Sequence, residues 1–193
     1  MTDGLSGFCY FDILSSVNAW VIADTHLYHK NMVKKYNRPG GYEDIFWQSW
    51  KRKVKYRDYV FILGDYCFVK PSKCYVGDLP GVKVLVRGNH DGIKKGRIFK
   101  YGFDVICDAA LVRVHLKPGD ARWVLLTHKR FTNWSVLPKK IVANIHGHSH
   151  TKRPLYSSGG RFINVSAEHL LYEFAEIRDL IMMRYNPKVF KSV

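Results

Sequence analysis

Seven side chains of types that bind divalent cations occur in an ordered series: Asp24, His26, Asp65, Asn89, His128, His148 and His150. Carboxylate, amide and imidazole donors in this mixture suit Mn, Fe, Zn or Ni. A pair of adjacent divalent ions needs several such donors and one carboxylate that bridges them. In Asp24-Thr25-His26 and His148-Ser149-His150, alternate residues point to one side of an extended backbone. Glycines at 64, 88 and 147 let the chain turn sharply beside a ligand. Each fragment alone is weak, because a Gly-Asp or an Asp-x-His occurs by chance and a lone histidine is more often packed or solvated. The ordered set is specific. Two cations about 3.5–4 Å apart acidify a shared water and clamp phosphate oxygens, so the chemistry expected is hydrolysis of a phosphate ester.

Such a site needs elements that bring distant residues together. Short, often β-branched runs predict strands at 19–23, 59–63, 82–86, 111–116, 123–127, 141–146 and 162–165. Asp24 follows the first run, Gly64-Asp65 the second, and Gly88-Asn89-His90-Asp91 the third. Thr127-His128 and Gly147-His148 close the fifth and sixth. Loops at the carboxyl ends of strands are where α/β proteins build sites. Helical spacing of apolar residues predicts a helix over 42–54 and a second over about 174–183. The 193 residues form one α/β domain with some antiparallel strands in the second half.

The series Asp24-Thr25-His26, Gly64-Asp65, Gly88-Asn89-His90-Asp91, His128 and Gly147-His148-Ser149-His150 resembles the calcineurin-like metallophosphoesterase superfamily. The resemblance spans roughly residues 19–170 and includes every core motif. It implies a two-sheet β-sandwich flanked by helices and two divalent metal ions. It implies that Asp24, His26 and His150 bind the first ion and that Asn89, His128 and His148 bind the second, with Asp65 bridging both. His90 would be catalytic, giving a proton to the leaving group or steadying phosphoryl charge, and Asp91 would hold its imidazole. The segment around His29, Asn31 and Arg38 is loosely similar to small bacterial and phage-type members. Those three residues could reach the substrate or support the ligands; a plain polar loop is the competing reading. Family protein phosphatases carry a longer second motif and Glu after Gly-Asn-His, so Phe68-Val69-Lys70 and Asp91 disfavour that activity.

The chain carries 31 Lys and Arg against 16 Asp and Glu, a net charge of +15. That excess favours an anionic phosphate ester as partner, with nucleotides, cyclic nucleotides or nucleic-acid ends fitting best. Lys94, Lys95, Arg97, Lys152 and Arg153 follow site motifs and are expected to rim the cleft. Phosphodiesterase activity is the first expectation and nucleotide or small-molecule phosphomonoesterase activity the second. A nucleic-acid-binding module with a structural metal site is the third. No run of about 18 apolar residues is present, so no membrane partner is expected. Cys9, Cys67, Cys74 and Cys107 form no CxxC pair, which predicts free thiols in a reducing cytoplasm and an inert, buried Cys67. His115, His146 and His169 carry no motif; His146 is assigned to its strand.

Overall fold

The computed structural model describes residues 6–92, 96 and 98–184. Ten strands and three helices account for the architecture among them. In chain order the strands are β1 Ser6–Ile13, β2 Ala19–Ile22, β3 Tyr59–Ile62, β4 Val82–Val86 and β5 Val105–Lys117. Then follow β6 Asp120–Thr127, β7 Ile141–His146, β8 Tyr156–Ser157, β9 Phe162–Asn164 and β10 Ala175–Glu176. The helices are α1 Asn31–Tyr36, α2 Tyr42–Lys53 and α3 Ile177–Met183.

The strands join in one mixed sheet of order β10-β2-β3-β4-β5-β6-β7-β9-β8, with β1 paired to β5 off this path. The resemblance implies two sheets; the hydrogen bonds instead run without a break. The sheet curls. Val21, Phe61 and Val84 from one half pack in the same buried cluster as Val124, Ala143 and Ile145 from the other. β2, β3, β4 and β5 are mutually parallel, as are β6, β7 and β9, and only the β5–β6 hairpin reverses direction within this run. The carboxyl ends of β2, β3 and β4 therefore line one edge, and those of β6 and β7 line another that the curl brings round to it.

The opposite face of β2 to β4 buries Ile22, Val60, Ile62 and Leu85 beneath α2. Tyr42, Phe46, Ser49 and Trp50 are the buried residues of α2, at spacings that fall on one helical face. Glu43 and Asp44 sit in its first turn and Lys51, Arg52 and Lys53 in its last, matching the helix dipole. Burial of each large apolar side chain contributes about 1.5–3 kcal/mol. Trp50, fully buried and edge-on to Phe174 at 5.3 Å, is the change that would open this layer most.

Two cysteines depart from the expectation of free thiols. Cys67 and Cys74 form a disulfide. A tight turn at Pro71–Lys73 folds the chain back and brings their Cα atoms to 6.8 Å, within bridging reach. No helix among the described residues is long and apolar enough to cross a membrane.

Candidate metal centre

All seven ligand candidates come to one end of the fold, in the turns that leave β2, β3, β4, β6 and β7. Asp24, His26 and His150 form one group whose ligand atoms lie within 4.8 Å of one another. Asp65, His128 and His148 form a second group within the same limit. Asn89 joins the second group, with its Oδ1 3.0 Å from His128 Nε2. Asp65 stands between them. Its Oδ2 is 3.7 Å from His26 Nε2 in the first group and 3.6 Å from His128 Nε2 in the second.

The backbone is bent to make this possible. Asp24 (φ 53°), His26 (43°), Asp65 (52°), His148 (66°) and His150 (44°) all lie in the left-handed region. Non-glycine residues seldom adopt it, and such outliers gather at functional sites. Neighbouring turns press close. A Cβ on Gly64, itself at φ 80°, would collide with Gly88 and the His128 ring. One on Gly147 would strike the Asp24 carboxylate.

Hydrogen bonds fix which ring atoms face inward. His128 Nδ1 donates to Leu63 O at 2.9 Å, leaving the Nε2 lone pair toward Asn89 Oδ1 and, at 3.2 Å, His148 Nδ1. His150 Nδ1 donates to both oxygens of Glu168, at 3.0 and 3.1 Å, which leaves its Nε2 as a lone pair. Asp24 Oδ2 accepts from the His148 N–H at 2.7 Å and the Ser166 hydroxyl at 2.9 Å.

The residues fit a pair of metal ions on their own chemistry. Asp24 Oδ1 and both ring nitrogens of His26 are buried with no hydrogen-bond partner. Unpartnered buried polar atoms are costly, and a bound cation satisfies Asp24 Oδ1 and one of the two His26 nitrogens. Burial first, then the charges of Arg38, His150, His90 and His29, push the His26 imidazole down to about 2, so it is the neutral ligand form. Burial likewise holds the Asp24 carboxyl well above its ordinary value in the bare site, a bias that an adjacent cation reverses.

His90 stands at the mouth. Its side chain is 52% exposed and Nε2 is 4.0 Å from Asp65 Oδ2. Asp91 does not serve it as expected. The Asp91 carboxylate accepts the backbone N–H groups of Asp65 (2.7 Å), Gly88 (2.8 Å) and Tyr66 (3.0 Å). It ties the β3 and β4 turns together, and this positions Asp65 and Asn89 rather than the His90 ring.

The three residues of the loose segment separate. His29 and Asn31 line a cavity of about 380 Å³ together with His26, Asp65, His90 and Lys152. Arg38 does not reach it. It is 2% exposed and donates to Asp24 O and Thr25 O at 2.6 Å each and to Glu168 Oε1 at 2.7 Å. The guanidinium braces the first motif from behind, because each of its three nitrogens donates to a buried acceptor. Of the expected rim, Lys152 lines the cavity, while Lys94, Lys95 and Arg97 lie outside the described residues.

Sequence reasoning missed Glu168, Ser166 and Tyr36. Glu168 orients His150, Ser166 holds Asp24, and the Tyr36 ring stacks on His150 at 3.9 Å. His169, set aside for want of a motif, contacts the carbonyls of His150 and Arg153 at 3.0 and 2.8 Å. His146 ends β7 and is buried, as assigned.

Residues 17–152 match the family profile described as calcineurin-like phosphoesterase, and the chain belongs to that family. An uncharacterized protein of Methanocaldococcus jannaschii is 26% identical, over 93% of this chain and 98% of its own length. The Gene 66 protein of Mycobacterium phage L5 is 29% identical over 69% of this chain and 78% of that protein. The crystal structure of a protein of unknown function from Aquifex aeolicus shares the fold, with a TM-score of 0.66 and 23% identity, covering 86% of this chain and 99% of that one. Family and ligand groups together support a metal-dependent phosphoesterase.

Proposed function

We propose that the chain hydrolyses phosphodiesters of the nucleotide or nucleic-acid class at a dinuclear metal centre. The observation that carries this reading is the place of Asp65, whose Oδ2 is nearly equidistant from an imidazole of each ligand group. Asp24, His26 and His150 would hold one ion, Asn89, His128 and His148 the other, and Asp65 would touch both. When bound, two divalent cations supply Lewis acidity to the phosphoryl oxygens and lower the pKa of a nearby water. The protein's own residues do the rest. Lys35 and Lys152 on the cavity wall draw the anionic ester in. His29 and Asn31 orient it from the α1 side. His90 Nε2 faces the centre from an open position and delivers a proton to the departing alkoxide.

Turnover of bis(p-nitrophenyl) phosphate and p-nitrophenyl phosphate, each with Mn, Fe, Zn and Ni, tests the proposal. Faster cleavage of the diester supports it. Faster cleavage of the monoester would make the protein a phosphomonoesterase. No turnover with any metal would leave a binding module with a structural metal site.

A further inference from the structure

Beside the metal centre lies a second cavity, of about 450 Å³, lined by Lys129, Arg130, Thr132, His148, Ser149 and Arg153. His148 lines both cavities, so the two meet at a ligand candidate of the second group. The new cavity is cationic, and no acidic side chain pairs with Arg130 or Arg153 among the described residues.

Arg130 is not a freely solvated surface cation. Its guanidinium lies 3.7 Å from the centroid of the Phe162 ring, and its Nε is buried with no hydrogen-bond partner. A cation held over an aromatic ring is oriented before any ligand arrives. The backbones carrying the two arginines are pinned in matching ways. Asn144, fully buried on β7, accepts the Phe131 N–H at 2.8 Å, one residue after Arg130. Asn164, buried on β9, donates to Arg153 O at 3.0 Å and to His150 O at 2.8 Å. Each arginine is thus fixed two or three residues beyond a metal-ligand candidate, His128 or His150. Two unneutralised guanidinium groups lining one cavity repel one another. An anion between them relieves that repulsion and can take charge-assisted hydrogen bonds from both guanidinium groups.

We propose that Arg130 and Arg153 form a subsite for a second phosphate group of the substrate, adjoining the scissile ester across His148. This rests on the phosphodiesterase reading and deepens it: the substrate carries at least two phosphates. The second can be the next phosphate of a nucleotide chain or one joined through an anhydride.

Two substrates test for the next phosphate of a nucleotide chain. One is the p-nitrophenyl ester of thymidine 5'-phosphate; the other is the same ester with an added 3'-phosphate. The full chain with Mn should favour the second in kcat/KM by roughly tenfold or more, mainly through KM, as expected for charge-assisted hydrogen bonds. Arg130→Gln and Arg153→Gln should each shrink that preference, and Arg130→Lys should keep part of it. Arg153 is exposed, so its variant tests the idea even if Arg130→Gln folds poorly. Equal use of both esters by the wild type together with equal binding of thymidine 5'-diphosphate and thymidine 5'-monophosphate, or an undiminished preference in both variants, would overturn the subsite.

If neither ester is cleaved, the phosphodiesterase reading fails and binding decides the subsite alone. Calorimetric titrations would then compare thymidine 3',5'-bisphosphate, thymidine 5'-diphosphate and thymidine 5'-monophosphate. Tighter binding of either two-phosphate ligand, lost in the variants, upholds the subsite, and the tighter of the two identifies the source of the second phosphate. Equal binding of all three rejects it.

Discussion

Arg38 and Glu168, 130 residues apart in sequence, form a buried ion pair with Nη2 2.7 Å from Oε1 and side chains 0% and 5% exposed. The same carboxylate accepts from His150 Nδ1, so a bond to a ligand candidate and a bond to the first motif share one group. Burial opposes the charge on Glu168, but the hydrogen bond from His150 and the Arg38 charge outweigh it and keep the carboxyl below its ordinary value. Glu168→Gln should therefore strand the Arg38 cation, at a cost of roughly 3–5 kcal/mol, since removing one member of a buried pair is strongly destabilising. Metal affinity should also fall, by about 10–100-fold, through loss of the His150 orientation. Chemical denaturation and metal titration read the two effects separately. A variant with wild-type values in both would make the pair incidental.

Removal of metal with a chelator should abolish phosphoesterase activity, and a divalent ion should restore it. Asp65→Asn should be among the most damaging changes, because both ligand groups converge on Asp65 Oδ2. Metal analysis alongside the assay checks this. Two ions bound per chain in an active Asp65→Asn protein would exclude Asp65 as a bridge.

His90→Ala should keep both metals and lose rate, by roughly 10²–10⁴-fold for an ester with a poor leaving group. For a nitrophenyl ester the loss should be smaller, because nitrophenolate departs without a proton. Loss of one ion in this variant would reassign His90 as a ligand.

Asp58 gives a pH prediction away from the metals. It is 3% exposed and accepts from Lys55 N (2.9 Å), Trp20 Nε1 (3.0 Å) and Asn18 N (3.1 Å). Burial raises its pKa, but these bonds outweigh it, led by the Trp20 indole, and hold it below the ordinary 3.8. A depressed carboxyl pKa means the unfolded chain binds the proton more readily. Its stabilisation is present above pH 3.8 and is lost as pH falls through the lower folded value. Asp58→Asn should be less stable near pH 6 and show a shallower decline below pH 4; urea midpoints across that range would test it. Parallel curves for variant and wild type would rule the linkage out.

The candidate ligand set is legible because each member stands at the end of a strand whose apolar run marks it, and because short motifs group Asp24 with His26 and His148 with His150. The sequence offers Arg38 as a residue that reaches the substrate or supports the ligands, or as a plain polar loop residue, since nothing local announces a partner 130 residues away. Glu168 was silent for the same reason. Asp91 shows the converse: its neighbour His90 in sequence suggested a side-chain pair, while three-dimensional turns gave it backbone partners. β1 was invisible because most of its residues are not buried, so its apolar pattern is broken. β8 and β10, two residues each, are too short for any period to register. The Cys67–Cys74 bridge depends on a turn that spacing alone does not specify.

Five ligand candidates hold left-handed backbone that their side chains disfavour, by about 1–2 kcal/mol each. The sheet beneath them is anchored by a buried apolar core, so this tension is confined to the rim where the turns emerge. Metal-free protein should consequently fray there first, with amide protons of Asp24, Asp65 and His148 exchanging while β3 and β4 stay closed. Ion binding would then act as a clasp on the end of the molecule, coupling loading of the centre to local opening of the chain that surrounds it.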